Sequence, residues 1–219
     1  MVTRLVRLAG MERRFSGLIL DWAGVLTTNM VEVIESFEAR EMLPEGLFLR
    51  RWADPRGQEL YRLLELGEIA QAEWNEGFGA LLGISPANLM ERLLYEMFPA
   101  YEVMRVVREA RAAGVRVAVL SNSLGREPFD PYAPYYLPGN FDVVVLSAEH
   151  GIRKPDPAIF QLTLDRLALP PERCVFADDT EENLVPAYQM GMAVVHAVDE
   201  EVTAAVLREL LELPAAGKR

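Results

Sequence analysis

Three apolar runs in this chain end in side chains that can do chemistry. Gly17-Leu-Ile-Leu-Asp21 closes on a carboxylate, the run ending at Leu120 is followed by Ser121-Asn122-Ser123, and Cys174-Val175-Phe176-Ala177 leads into Asp178-Asp179. A fourth segment, Arg153-Lys154-Pro155-Asp156-Pro157, supplies a lysine beside a proline turn. Taken singly, each has an ordinary reading. A strand-end aspartate caps or turns the chain, Asp179 or Thr180 opens a helix with Glu181 and Glu182 in its first turn, Lys154 is solvated, and Asn122 serves a turn. Taken together, they suit phosphoryl transfer. An anionic nucleophile that approaches an anionic phosphate needs its repulsion cancelled, and a cation held by carboxylates does this, helped by a lysine and by hydroxyl or amide donors. Two adjacent acids after a buried strand repel each other unless a cation or proton intervenes. Ligation by oxygen alone suits Mg²⁺.

Such residues must be brought together by the elements that end in them. Strands are predicted at 17–21, 115–120, 142–146, 173–177 and 192–196, with helices at 101–113, 157–168, 181–190 and 200–212. Strands that alternate with helices imply parallel pairing, right-handed crossovers and a ligand at the carboxyl ends of the strands. The expectation is therefore an α/β fold with a Rossmann-like parallel sheet core, built from 15–27 and 99–212. Residues 28–98 break the alternation with helical patterns at 31–42, 56–66, 68–82 and 86–97, the last opening on Ser85-Pro86, and read as an inserted helical cap. Residues 1–14 read as an N-terminal arm, with Met11 as an alternative start. The stretch 124–139, rich in proline and tyrosine, reads as a conformationally restricted loop. There Arg126 is a candidate for a substrate anion, and the tyrosines for a pocket lining, a subunit contact or plain packing.

Composition narrows the partners. A formal net charge of −11 with only two lysines, Lys154 and Lys218, speaks against a nucleic-acid surface. No apolar stretch is long enough to span a bilayer, and the charged opening lacks a signal-peptide core, so the expected setting is cytoplasmic. Cys174, the single cysteine, lies in an apolar run and reads as a core residue. His150 and His196 have no partner spacing for a metal and read as structural.

In chain order, Asp21, Ser121, Lys154 and Asp178-Asp179 resemble the four motifs of the haloacid-dehalogenase-like superfamily over roughly residues 15–200. The second half, with Lys154-Pro155-Asp156-Pro157-Ala158-Ile159-Phe160 and Phe176-Ala177-Asp178-Asp179-Thr180-Glu181-Glu182-Asn183, is similar to the phosphatase-like domain joined to epoxide hydrolases and to related bacterial proteins. The resemblance implies that Asp21 forms an aspartyl-phosphate, Ser121 hydrogen-bonds a phosphoryl oxygen, and Lys154 neutralises nucleophile and phosphate. Asn122, a turn residue or a ligand contact by its position, is expected to be the latter. It also implies Mg²⁺ held by Asp179 and Asp178, by Asp21 and by the backbone carbonyl of Ala23, with Asn183 orienting the acidic pair.

One position departs from the pattern. Phosphatases of this superfamily usually carry a second aspartate two residues after the nucleophile, which protonates the leaving oxygen and then activates water, and here that residue is Ala23. Asp21-Trp22-Ala23-Gly24 resembles phosphonoacetaldehyde hydrolase, but the segment 28–98 has no lysine for that enzyme's Schiff base. Haloacid dehalogenases also lack the second aspartate, yet work without metal and have no need of the paired acids. The expectation is a Mg²⁺-dependent phosphatase for a small phosphorylated metabolite, monomeric or homodimeric, with Glu32 or Glu35, water or substrate supplying the missing proton transfer. A silent phosphate-binding relative and a dehalogenase-type hydrolase are the alternatives.

Overall fold

The computed structural model describes residues 13–135 and 137–213; all but the last two residues of the expected N-terminal arm lie outside them. Strands β1 (Gly17–Leu20), β2 (Arg116–Ser121), β3 (Val143–Leu146), β4 (Cys174–Asp178) and β5 (Ala193–His196) form one sheet in the order β3-β2-β1-β4-β5. Every neighbouring pair is parallel, and all five expected strands are present within a residue of their expected bounds. Alternation divides the side chains between two covered faces. Leu18, Leu20, Val117, Val119, Val175 and Ala177 pack on one, while Ile19, Ala118, Leu120 and Phe176 meet Ile159, Phe160 and Leu164 on the other. Burial on both faces is why these strands read as unbroken apolar runs.

Register sets the functional edge. Leu20 lies opposite Val119 of β2 and Ala177 of β4, so Asp21 leaves the sheet level with Leu120 and Asp178. Its N–H still donates to the Ala177 carbonyl at 2.9 Å.

Between β1 and α6 (Tyr101–Ala112) lie α1 (Met30–Arg40), α2 (Leu47–Trp52), α3 (Pro55–Glu65), α4 (Gln71–Leu82) and α5 (Leu89–Leu93). The chain leaves and returns side by side: Thr28 N–H donates to Phe98 O at 2.8 Å and Ala100 N–H to Leu26 O at 2.9 Å, around an antiparallel bridge between Thr27 and Pro99. Helix α3 opens on Asp54, whose carboxylate accepts the Arg56 N–H at 2.9 Å, with Pro55 at the first helical position. Helix α2 was not expected from sequence. It is held from a distance by the buried Glu38 carboxylate, which accepts the N–H groups of Gly46 and Phe48, each at 2.6 Å. The helix expected at 86–97 is a correction: it runs only from Leu89 to Leu93, because Asn88 takes a left-handed conformation (φ +51°) and Pro86 packs on Gly79.

The last third of the chain adds α7 (Leu137–Asn140), α8 (Pro157–Leu167), α9 (Glu181–Gln189) and α10 (Glu200–Leu210). Helix α8 repeats the device of α3, with Asp156 accepting the Ala158 N–H at 2.9 Å ahead of Pro157. The stretch 124–139 is irregular apart from short helical turns, and Tyr132 and Tyr135 pack on the Trp22 ring with centroids 4.7 and 5.5 Å away. Among the described residues, no helix is long and apolar enough to cross a membrane.

Candidate active site

Lys154 is the centre of the arrangement. Its ammonium lies 2.8 Å from Asp21 Oδ1 and 2.6 Å from Asp178 Oδ2, and its side chain is 1% exposed. Asn122 holds it there from the backbone side: the Lys154 N–H donates to Asn122 Oδ1 at 2.8 Å, and Asn122 Nδ2 donates to the Lys154 carbonyl at 3.2 Å. Asp178 is fully enclosed and accepts Asn183 Nδ2 on both oxygens, at 3.0 and 3.2 Å, and the Thr180 N–H at 2.9 Å. The orienting role expected of Asn183 has this geometry behind it. Asp21 Oδ1 also accepts the Trp22 N–H at 2.6 Å.

The cluster is acidic on balance. Carboxylate oxygens of Asp21, Asp178 and Asp179 lie within 4.8 Å of one another, and Lys154 is paired with the first two. The Asp21 carboxyl is raised to about 8, by burial first, against the pull of Lys154 and with Asp178 and Asp179 adding to the rise. Asp179 is raised as well, by burial first and by Asp178 second. For Lys154, burial alone would depress the ammonium, but Asp21 and Asp178 overcome it and hold it above the ordinary lysine value. Three acids around one lysine leave an excess of negative charge on oxygen donors, which is the donor set a hard divalent cation takes. Position 24 fits the same purpose: Gly24 has φ +73°, and a Cβ there would run into the Asp179 carboxylate, so Asp179 packs directly on the Ala23-Gly24 turn.

The other expected site residues are distributed unevenly. Ser121 ends β2, is 1% exposed, and directs its hydroxyl to the Asn122 carbonyl at 3.2 Å, with the Tyr132 hydroxyl 3.4 Å away. Arg126 is not brought to the cluster; it is an exposed residue paired with Asp130 at 2.7 Å and lines a different cavity. Glu32 and Glu35 are also exposed, and Glu32 lines a separate depression behind the Gly24–Thr28 turn. Cys174 is buried, with burial pushing its thiol up to about 12. His196 lies with Nε2 2.9 Å from the Asp179 carbonyl, a backbone contact that sequence spacing did not foretell.

A cavity of about 290 Å³ opens beside Asp21. Its polar lining comes from Asp21, Asn122, Lys154, Asp179, Thr180 and Glu65, and Ile34, Phe48, Leu49, Trp52, Tyr61 and Leu93 supply an apolar wall. Trp52 and Leu49 are 46% and 41% exposed at the rim. Sequence reasoning missed Glu65 and the α2 wall. For the wall the signal was present: Phe48 and Trp52 are four residues apart in an apolar-basic stretch, which is one face of a helix.

A five-stranded parallel sheet whose carboxyl edge gathers an aspartate, a buried lysine and an acidic pair defines a Rossmann-like α/β hydrolase. Residues 15–191 match the model of the haloacid dehalogenase-like hydrolases, and the chain belongs to that family. It is 29% identical over 210 residues to acyl-CoA dehydrogenase family member 10 of Mus musculus, covering 92% of this chain but only 20% of that one. It is 24% identical over 200 residues to the sesquiterpene phosphatase astK of Aspergillus oryzae, covering 90% of this chain and 97% of that one. Among solved structures, a HAD-like family hydrolase from Porphyromonas gingivalis has a TM-score of 0.67 at 23% identity over 90% of this chain and 98% of the other. A HAD family enzyme of Bacteroides thetaiotaomicron in complex with magnesium and inorganic phosphate has a TM-score of 0.57 at 21% identity, over 83% and 93%. At these identities the two structures share the fold.

Proposed function

We propose that the protein is a Mg²⁺-dependent phosphatase that acts in the cytoplasm on a small phosphomonoester through an aspartyl-phosphate at Asp21. The observation that carries the reading is the fully buried Lys154 bridging Asp21 and Asp178 at 2.8 and 2.6 Å beside the raised Asp179 carboxyl. In this reading Asp21 attacks phosphorus, Lys154 offsets the charge of nucleophile and phosphate, and Ser121 and Asn122 supply neutral donors, Asn122 also fixing the lysine backbone. Asp21, Asp178 and Asp179, with the carbonyl of Ala23, would hold Mg²⁺, which neutralises phosphoryl oxygens when bound. Residues 28–98 serve as the cap that covers this edge and supplies the wall of the cavity.

The wall also bears on the substrate. Six apolar or aromatic side chains beside the polar lining favour an ester whose alcohol part is apolar, and a relative of matching length is named a sesquiterpene phosphatase. Ala23 favours a second reading, a phosphate-binding relative without turnover. The experiment that separates them is phosphate release from phosphomonoesters with and without Mg²⁺, for wild type and Asp21→Asn. Turnover that requires both Mg²⁺ and Asp21 is expected; binding of phosphate without turnover under any condition rejects the phosphatase.

A further inference from the structure

With alanine at position 23, some other group must move the proton if the chain is a phosphatase, so this inference rests on the reading above. Among the described residues, the ionisable side chains lining the cavity are Asp21, Tyr61, Glu65, Lys154 and Asp179. Asp21 is the nucleophile, Lys154 is committed to two carboxylates, and Asp179 belongs to the acidic cluster. Burial drives the Tyr61 hydroxyl well above the ordinary tyrosine value, and Glu65 drives it further, so it exchanges no proton near neutrality. One carboxyl remains. We infer that Glu65, on the last turn of α3, is the general acid and base of this site, doing from the helical segment the work that residue 23 leaves undone.

Its surroundings suit the task. The Glu65 side chain is 15% exposed and contacts Arg153 Nη1 through Oε2, which leaves Oε1 to carry a proton. Burial raises the carboxyl above its ordinary value, and Arg153 and Lys154, the cations that face it, draw it back. A raised carboxyl is the direction that favours holding a proton to give. The position is built in: the Glu65 carbonyl accepts the Ser147 hydroxyl, and Ser147 Oγ in turn accepts the Ser123 N–H at 2.7 Å. Two residues on, Gly67 (φ +71°) lies so close to the Ala148 carbonyl that a Cβ would collide with it. The turn between α3 and α4 is thereby seated on the loops that follow β2 and β3.

The proposed cycle balances. An Asp21 carboxylate oxygen bonds to phosphorus while the ester P–O bond breaks; the leaving oxygen keeps that electron pair and takes the proton of Glu65, giving the alcohol. Glu65, now a carboxylate, takes a proton from water as the water oxygen bonds to phosphorus. The bond between phosphorus and Asp21 breaks with its electrons returning to the carboxylate, releasing inorganic phosphate and restoring protonated Glu65.

The test uses leaving-group dependence, read as kcat/KM so that only the first phosphoryl transfer counts. p-Nitrophenol leaves without a proton and an alkanol does not. Glu65→Gln is expected to lower kcat/KM on an n-alkyl phosphate by about 10²–10³-fold and on p-nitrophenyl phosphate by less than about 10-fold. Arg153→Met breaks the same contact but keeps the carboxyl, so its effect on the two esters should be similar, and Ala23→Asp placed in the Glu65→Gln background should recover alkyl-ester turnover. Equal losses on both esters, or none, in Glu65→Gln overturn the inference while leaving the phosphatase intact. A wild type that turns over neither ester overturns both.

Discussion

Replacing Lys154 by methionine keeps an unbranched stem of similar length and removes the charge. In the native protein that ammonium is enclosed with Asp178, whose side chain has no exposure, and with Asp21, at 11%. Removing one partner of a buried ion pair costs about 3–5 kcal/mol, because the remaining charge stays desolvated. For a chain of this size that is roughly 6–20 °C in Tm, at about 2–4 °C per kcal/mol. The pH dependence has a definite sign. Lys154 is held above the ordinary lysine value, so its own contribution is fully present below about pH 10 and is lost only as pH rises through the folded value. In the variant, the buried Asp21 carboxylate escapes desolvation by taking up a proton. Its folded state binds more protons than the native one, so its stability falls more steeply with rising pH, and the deficit is larger at pH 8 than at pH 5. Asp21, already pushed up to about 8 with the lysine in place, titrates in that window. Urea unfolding of both proteins in metal-free buffer at pH 5 and pH 8 measures the two differences. A deficit below about 1 kcal/mol at pH 8, or one that grows toward pH 5, would refute the view that Lys154 is the buried counter-ion of this cluster.

Two further outcomes follow from the cavity and the α3–α4 turn. If the apolar wall takes the alcohol part of the substrate, kcat/KM on n-alkyl phosphates rises about 4-fold per methylene, the equivalent of ~0.8 kcal/mol per buried CH₂; Trp52→Ser and Leu49→Ser at the rim flatten that slope, and a flat wild-type series excludes the apolar class. Gly67→Ala forces an L side chain into a left-handed conformation, for about 1–2 kcal/mol, and into the Ala148 carbonyl. Chemical denaturation should report at least that loss, together with a fall in kcat/KM as the α3–α4 turn lifts; unchanged stability would mean that the turn is not seated as described.

The legible parts of this molecule are those whose signal is local. A strand buried on both faces must be apolar throughout and must surrender its polar residue at its end, so β1, β2 and β4 announced both themselves and Asp21, Ser121 and Asp178. Helices α3 and α8 carry their start signals in Asp54-Pro55 and Asp156-Pro157. What stayed hidden depends on distant partners. The six residues of α2 are stabilised by Glu38, eight to ten positions away, and Asn88 breaks the helix expected at 86–97 through a backbone conformation that its neighbours do not dictate. Arg126 looked free for an anion because sequence cannot show that Asp130, four residues on, would take it. Glu65 drew no reading of its own from the sequence, and the docking of α3 on the loop after β3 is what sets its place.

That docking gives the alanine at position 23 a physical sense. Asp21 and Asp178 share Lys154 as their paired cation, and a further carboxylate two residues after Asp21 would add charge to a cluster in which Asp21 and Asp179 are already raised, by burial first and by neighbouring acids second. A carboxyl on α3 meets a different balance, because Arg153 holds one of its oxygens and Lys154 acts on it at longer range. If Glu65 moves the proton, nucleophile and proton carrier lie on separate parts of the chain. Proton transfer then depends on the seating of the α3–α4 turn, while the acids proposed for Mg²⁺ lie at the carboxyl edge of the sheet. Disturbing the seat through Gly67 should therefore slow alkyl esters more than p-nitrophenyl phosphate and leave the affinity for Mg²⁺ unchanged, a separation that a carboxylate at position 23 would not produce.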